Sequence, residues 1–564
     1  MRLRPLLPGL LLLGAALAGC LSEPTVTTTW GPAPFDPAVL SPWQLKVRAA
    51  EEVWVTAADG TRLHNAVYRP NTTEEVPVFI NFSPYWGDTA MGDGTRPGGD
   101  AFARHMVNEY VPRGYAVVLA AVRGTGHSEG CFQVGGDLEV RDAYEVIDYF
   151  ATQGWSNGKV AAGGKSYDST TQNGIIAKRP HPALRGVFHV SAITDMYSYN
   201  AKDGVVYQDG LDFTPRYFLD QGLDEYGIPD PEDPRGSAPP DPTQESPESL
   251  RRLAGDVACP EAARHVASGE GTAADGMRDA YWRERDWVSA LPASKWNGSV
   301  FFVHGLQDWN VKPDNIDPWL AILQSKGIPV LGWLHQDSTP PPTGGHVYPM
   351  RQDWNRTMLR WLDSTLKGVD TRMDQTWGFE SEGSDGTWRR SATWPPPRTD
   401  DLHWDAVAGP PPRSDWPAKV RVAGVPYALV TVEATDPDAI ARVILYDEAP
   451  DGGRTFVSEA VRRIALSDDL AGPRGSTGPV LLNLTFFPVD HLLGPGHTWY
   501  VDPGASPSDG PDGGTTPPGF FFRPDQVSSE AVEYVKIEMH LPSVDAAGVV
   551  VPQPEPMAHW AGQA

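Results

Sequence analysis

Three side chains in the order Ser166, Asp308 and His346 have the types needed for nucleophilic acyl transfer. A serine hydroxyl is a poor nucleophile until a base takes its proton. An imidazole base in turn needs a carboxylate that fixes its tautomer and favours the imidazolium. Ser166 stands in Val160-Ala161-Ala162-Gly163-Gly164-Lys165-Ser166-Tyr167, an apolar run that meets glycines and then a serine, with helix-like sequence from Thr170 to Lys178. That is the setting of a nucleophile elbow, a sharp turn that lifts the hydroxyl above a sheet. The usual G-x-S-x-G is not met, because position 168 is Asp. A phosphate-binding P-loop is disfavoured, because Lys159 stands where its first glycine belongs.

Asp308 follows the apolar run Val300 to His304, where a strand-end carboxylate can orient an imidazole. His346 lies in the loop Thr343-Gly344-Gly345-His346, and the paired glycines let that loop reach over a sheet. His335, at the end of Val330 to His335, is the rival base. An oxyanion needs donors aimed at its developing charge. The Tyr167 amide and the Tyr85 hydroxyl, the latter in the loop after Val76 to Phe82, are candidates. Taken singly, each has a plainer reading: Ser166 as a turn residue, Asp308 as a strand-end cap, Tyr85 as a rim aromatic.

Such groups must be held at the ends of strands, and the chain has the pattern to do so. Glu52 to Thr56, Arg62 to Tyr68, Val76 to Phe82, Tyr115 to Val122, Val160 to Ala162, Leu184 to Val190, Val300 to His304 and Val330 to His335 read as strands. Helical stretches at 102–111, 138–152, 170–178 and 354–366 alternate with them. Near-continuous apolar strands alternating with helices predict a mostly parallel α/β sheet covered on both faces. Residues 205–295 break the rhythm with a Pro-, Asp- and Glu-rich stretch and helical pieces at 247–268 and 276–290, and are expected to be a cap insertion. After residue 370 short alternating runs separated by Gly, Pro and Asp turns predict a β-sandwich, with 502–519 as a loop. The expected division is 1–19 leader, 20–48 tether, 49–204 and 296–370 α/β domain, 205–295 cap and 371–564 sandwich.

Composition agrees. At 564 residues the chain exceeds a single core, and 40% apolar with 10% aromatic residues suffices for packed cores. The net charge of −26 opposes a general nucleic-acid or anionic-membrane surface. The amino end carries Arg2 and Arg4, an apolar stretch from Leu10 to Ala18, and Leu17-Ala18-Gly19-Cys20. This resembles a bacterial lipoprotein signal, which implies lipidation of Cys20 and anchoring at the cell envelope by lipid rather than by a helix. An ordinary signal peptide with an incidental cysteine is the alternative. Export would permit a Cys131–Cys259 disulfide, but sequence leaves two buried thiols equally open. The 14 histidines show no HExxH or similar spacing, so neither metal nor cofactor is expected.

The ordered set of motifs resembles the serine hydrolase family of Xaa-Pro dipeptidyl-peptidases and cocaine-esterase-like (CocE/NonD) acyl esterases. The matching strings are Ser83-Pro84-Tyr85, Val122-Arg123-Gly124-Thr125-Gly126-His127-Ser128-Glu129-Gly130, Gly154-Trp155-Ser156-Asn157-Gly158-Lys159-Val160 and Gly164-Lys165-Ser166-Tyr167 with Gln172. Further along come Tyr281-Trp282-Arg283-Glu284-Arg285, His304-Gly305-Leu306-Gln307-Asp308-Trp309-Asn310-Val311-Lys312, Gly344-Gly345-His346 and Gly386-Thr387-Trp388-Arg389. The resemblance implies an α/β-hydrolase with a helical cap, followed by a jelly-roll, galactose-binding-like sandwich. It implies Ser166 as nucleophile, Asp308 as orienter, His346 as base, and Tyr85 with the Tyr167 amide at the oxyanion. There are departures from the family pattern. Ser169 stands where a glycine is common, the 337–343 loop carries extra prolines, and the usual basic, apolar strand after Pro495-Gly496-His497 is lacking.

Peptidase and esterase share this chemistry, and the pocket decides between them. Lys165, Asp308-Trp309-Asn310-Val311-Lys312 and Ser191-Ala192-Ile193-Thr194-Asp195-Met196-Tyr197-Ser198-Tyr199 are more similar to the dipeptidyl-peptidase branch. A substrate α-ammonium needs a carboxylate partner, for which Asp195 and Asp203 are candidates, with Tyr197 and Tyr199 as walls of a proline-sized pocket. The plainer reading of each aspartate is a solvated loop or capping residue, and of each tyrosine core or rim packing. The expected partner is a peptide, or a small ester or amide. Nucleic acid is not expected, membrane contact is expected only through the lipid, and a homodimer is left open. An inactive hydrolase serving as a cell-surface binding protein is the reading from another class.

Overall fold

The computed structural model describes residues 36–85, 90–92, 97–98, 101–207, 278–308, 310–336, 345–346, 351–407, 420–436, 439–464, 479–504 and 531–552. The leader, Cys20, Cys259, the expected helix at 247–268 and most of the 205–295 insertion lie outside them, as does Trp309.

The first half builds β1 (Glu51–Thr56), β2 (Arg62–Tyr68), β3 (Val76–Ser83), β4 (Ala116–Ala121), β5 (Ser156–Lys165) and β6 (Leu184–Val190). A two-strand hairpin, β7 (Ala201–Lys202) and β8 (Val205–Val206), comes next, and β9 (Ser299–Gly305) and β10 (Val330–His335) follow later in the chain. Every residue of β3, β4, β9 and β10 is buried, which explains their unbroken apolar character. From β4 through β3, β5, β6 and β9 to β10 the pairing is parallel, with β2 and β1 added antiparallel at one edge.

Helices cover both faces, as the alternation predicts. α1 (Ala101–Tyr110) and the helix Trp354–Leu362 pack Phe102, Met106, Met358 and Trp361 into one core. α2 (Asp137–Ala151), α3 (Thr171–Lys178) and the helix Asp317–Ser325 pack Ile147, Ile175 and Trp319 into the other. The expected strand at 160–162 is longer, because Ser156 pairs with Val76 and Lys165 with Val190, so neighbours on both sides hold it extended.

The α/β sheet does not stop at residue 370. β11 (Gly378–Glu382), β12 (Trp388–Ser391) and β22 (Val549–Val550) extend it beyond β10, giving 11 strands among the described residues. The expected boundary falls too early because the open edge of β10 takes β11 in parallel register, Leu331 opposite Gly378. The chain then forms β13 (Arg398–Asp405), β14 (Val420–Gly424), β15 (Tyr427–Ala434), β16 (Ile440–Glu448), β17 (Arg454–Arg463), β18 (Val480–Thr485), β19 (Val489–Leu493), β20 (Thr498–Pro503) and β21 (Val532–Val544). These make two antiparallel sheets, β18-β15-β21-β14-β19 with β13 on β21, and β17-β16-β20. Between them Val430, Val443, Leu484, Trp499 and Ile537 are fully buried, which fits a β-sandwich. The strand after His497 is present: β20 pairs with β16, Trp499 opposite Asp447. Its single fully buried tryptophan among polar neighbours hides it from a hydropathy reading.

Sheet and sandwich meet at Asp490, which is nearly fully buried. Its carboxylate accepts from Arg421 Nε at 2.7 Å, from the Arg421 terminal nitrogen at 2.5 Å, and from Ser381 Oγ at 2.6 Å. The Asp490 carbonyl accepts from Gln336 Nε2 at 3.0 Å, immediately after β10. Removing one member of such a pair leaves an uncompensated buried charge. Asp490→Ala should therefore destabilise the protein by about 3–5 kcal/mol. Arg421→Met with Asp490→Leu should recover most of that loss in urea unfolding.

Candidate active site

The parallel strands end together. Lys165 lies opposite Val190, Val190 opposite Val303, and Gly305 opposite His335. The loops after β3, β5, β6 and β9 therefore emerge at one rim, where open α/β sheets carry their ligand crevice. Ser166 follows β5 directly, with φ +59 in the left-handed region that a side-chain-bearing residue seldom adopts. A short turn, Ser166–Ser169, leads into α3. The hydroxyls of Ser169 and Thr170 each donate to the Ser166 carbonyl at 2.8 Å. Ser169 Oγ also lies 3.1 Å from the Val190 carbonyl, so the serine that replaces the family's glycine is used to tie the turn to β6.

Beneath the turn sits Glu139 of α2, which the sequence reading passed over. It is 1% exposed. It accepts from the Tyr167 hydroxyl at 2.7 Å, Thr171 Oγ1 at 2.8 Å and the Gly135 amide at 3.0 Å. Burial pushes its carboxyl up against those hydrogen bonds. Tyr167 thus turns its side chain into the core, leaving only its backbone for the rim. Glu139 shares the helical face of Ala143, Val146 and Phe150, and an acidic residue on an apolar stripe was the available signal.

Asp308 is completely buried beyond β9. Its Oδ2 lies 2.9 Å from His346 Nδ1, and its Oδ1 accepts from the amides of Asn310 and Val311 at 2.9 and 3.0 Å. A carboxylate only accepts, so His346 Nδ1 carries the proton and Nε2 keeps its lone pair. Burial would raise the Asp308 carboxyl, but the hydrogen bond from His346, and the ring's attraction once it is protonated, outweigh it and hold it below the ordinary range. The close approach of the two loops requires glycine. A Cβ on Gly305 would stand 2.4 Å from the Gly345 carbonyl oxygen, and Gly345 has φ +81.

His335 is placed otherwise, with Nδ1 3.1 Å from the Gln336 carbonyl. His304 Nε2 donates to the Val311 carbonyl at 2.9 Å, and burial pushes its pKa down to about 4. Tyr85 follows β3, 41% exposed, with its amide donating to Ser83 Oγ at 3.0 Å.

The four candidate pocket residues are divided. Tyr199 is brought to the Asp308 loop, its hydroxyl donating to Asn310 Oδ1 at 2.8 Å. Asp195 is buried as the cap of α4 (Met196–Asn200), accepting from the Tyr197 amide at 3.2 Å and Ser198 Oγ at 2.7 Å. It is also paired with Arg278 at 2.5 Å. The Tyr197 hydroxyl accepts from the Gly204 amide at 3.1 Å, and Arg278 lies 4.6 Å from its ring. Asp203 is partly exposed at φ +47, its carbonyl accepting from the Arg463 amide at 3.0 Å. Arg278 and Asn310 had no sequence signal beyond their neighbourhood. Cys131 is disulfide-bonded, and both other cysteines lie outside the described residues.

Glu139→Ala strands two buried hydroxyls, each costing about 1–3 kcal/mol when unsatisfied. We expect it to lower the urea midpoint markedly more than Tyr167→Phe, which removes one donor. Asp308 stabilises the folded chain at pH values above its ordinary carboxyl pKa of about 3.9. Because its folded value is depressed, that contribution is lost as pH falls through the folded value. The stability advantage of the wild type over Asp308→Asn should therefore be full at neutral pH and shrink in acid.

The model of the X-Pro dipeptidyl-peptidase (S15) family matches residues 59–338. A Streptomyces avermitilis protein bearing the name of an Xaa-Pro dipeptidyl-peptidase is 31% identical over 405 residues, 65% of this chain and 53% of that one. The chain thus spans about half the length of that relative. A Mycobacterium bovis protein bearing the name of a serine esterase is 26% identical over 457 residues, 66% of this chain and 69% of its own. Among solved structures, a CocE/NonD family hydrolase of Staphylococcus aureus superposes with TM-score 0.60 at 15% identity, covering 88% of this chain and 93% of that one. That likeness in fold covers most of the chain, the sandwich as well as the α/β sheet. Residues 59–338, which carry Ser166 at the end of β5 and Asp308 beyond β9, are thus similar to the X-Pro dipeptidyl-peptidase (S15) family, and His346 follows just past the matched range.

Proposed function

We propose that the chain is an exported, lipid-anchored serine peptidase that removes Xaa-Pro dipeptides from free amino termini. The observation that carries the reading is the 2.9 Å bond from His346 Nδ1 to the buried Asp308 carboxylate, which leaves Nε2 as the proton acceptor. In this mechanism Ser166 Oγ attacks the carbonyl after the proline while His346 Nε2 takes its proton. The oxyanion is received by the Tyr167 amide and the Tyr85 hydroxyl. His346 then returns the proton to the leaving amine, and water activated by the same nitrogen hydrolyses the acyl-enzyme. Asp308 stays ionised throughout and steadies the imidazolium. Residues 205–295 act as the cap, the sandwich is a jelly roll, and Cys20 carries the lipid.

One observation favours a second reading, an acyl esterase or amidase. Asp195, a candidate partner for a substrate ammonium, is already occupied by Arg278 and Ser198. Under the peptidase reading that task falls to Asp203 or to a residue of the cap.

Three substrates separate these readings: Gly-Pro-anilide, the same compound with its amine acylated, and a simple aryl ester. The peptidase predicts strong loss on acylation, and unchanged turnover of the blocked compound rejects a free-amine site. A covalent serine probe should label the wild type and not Ser166→Ala, whereas an inactive binding protein would show no labelling. Asp308→Asn should lower kcat by roughly 10³–10⁴-fold with KM little changed, since the pair acts on the transition state.

A further inference from the structure

A second cluster of chemistry-bearing side chains lies at the far edge of the sheet, at β2, with β4 and β3 between it and the strand of Ser166. Glu52 of β1, His64 of β2 and His127 of the loop after β4 bring one ligand atom each within 4.8 Å of one another. Glu52 Oε1 stands 3.2 Å from His64 Nε2. The His64 and His127 rings have centroids 4.8 Å apart at 47°, so they converge instead of stacking.

Folding, not local spacing, makes this group. In the antiparallel β1–β2 pair, Glu52 faces Ala66 and Trp54 faces His64, which makes Glu52 and His64 diagonal neighbours on one face. His127 is delivered by a loop fastened to β2 just beyond it. The His64 amide donates to Ser128 Oγ at 2.8 Å, Ser128 Oγ donates to the Ala121 carbonyl at 2.8 Å, and the Glu129 amide donates to the Arg62 carbonyl at 2.9 Å. Glu129 itself is engaged by Arg62 at 2.5 Å, so Glu52 is the carboxylate that faces the imidazoles.

We infer that Glu52, His64 and His127 form a binding site for a divalent transition-metal ion, with Zn²⁺ the best fit. Two imidazoles and one carboxylate suit a borderline ion better than Ca²⁺ or Mg²⁺, which prefer oxygen alone. Zn–N and Zn–O bonds of about 2.0–2.2 Å at the tetrahedral angle set neighbouring donor atoms about 3.4 Å apart and bound ring centroids about 5 Å apart. The observed 3.2 and 4.8 Å lie close to both. His64 is 1% exposed, Glu52 is exposed and His127 is intermediate, so the fourth position faces solvent. The ion would clip β1 and the 123–130 loop to β2. Its role is structural, apart from the hydrolytic centre.

The test uses the full chain stripped with a chelator and titrated with Zn²⁺ by calorimetry, then with Co²⁺ by visible absorption. The expected result is one site per chain, a four-coordinate Co²⁺ spectrum, and a higher unfolding temperature with Zn²⁺. His127→Ala and Glu52→Gln change partly exposed residues and keep the buried His64 in place. Each should weaken binding by more than the roughly 10–100-fold that loss of a mere supporting residue costs, and should remove the thermal effect. Another histidine–carboxylate group, in which Asp447 lies 2.8 Å from His491 and 2.6 Å from His497, is the internal control. His497→Ala should bind as the wild type does. Absence of binding, binding unaltered in both site variants, or binding lost in His497→Ala instead would each overturn the assignment.

Discussion

The hydrogen bond between Asp308 and His346 is the constraint on which the described rim depends. A carboxylate with no solvent exposure keeps its charge only if the fold supplies compensation. Here two backbone amides and one imidazole supply it. The compensation has a direction. Both amides belong to the chain just past Asp308, so Oδ1 is committed locally and Oδ2 faces His346 from a distant loop. His304 is the nearby competitor at 3.8 Å, but its Nε2 hydrogen is given to Val311 and burial keeps the ring neutral. The carboxylate therefore selects one histidine, and that selection fixes which ring nitrogen can act as a base.

That choice requires strands that end in register. Because the sheet is parallel from β4 to β10, all its carboxyl ends lie at one edge, and residues that are 142 positions apart in sequence, Ser166 and Asp308, follow strands separated only by β6. The same edge takes its rigidity from polar groups underneath. Glu139 fastens the turn after Ser166 from below, and Ser169 and Thr170 close it onto its own carbonyl. The positive φ at Ser166 is held by these contacts.

Much of this was legible in the sequence. Unbroken apolar runs marked the buried strands, and the Ser, Asp, His order with a Gly-Gly loop favoured His346 over its rival His335. What escaped had a physical reason in each case. β20 is a strand because β16 pairs with it, not because its own residues alternate. β11 and β12 join the sheet because β10 leaves an edge open. Asp195 reads as a cap or as an ammonium ligand until Arg278, 83 positions away, is seen to pair with it. Glu52, His64 and His127 have no metal-like spacing, since cross-strand register alone makes them neighbours. Sequence patterns report a residue's relation to its own element, whereas these features belong to relations between elements.

The sandwich shows why such relations matter for the site. Tyr199 stands against Asn310, one residue inside the loop that cradles Asp308. The hairpin that follows Tyr199 carries Lys202, which pairs with Asp314 at 2.7 Å and lies 5.0 Å from the ring of Phe487 in the sandwich. Val205 and Tyr207 bury themselves with Ile440, Val461 and Phe487 of the same sandwich. On the other side, Gln336 reaches from the end of β10 to the Asp490 carbonyl. The wall beside Asp308 is thus fastened to the hydrolase sheet and to the sandwich at once. A hydrolase sheet without its sandwich would keep Asp308 and its amides but would lose the surface that holds Tyr199 against them. The carboxylate–imidazole pair stands at the end of the sheet, and the wall beside it is shared with the sandwich.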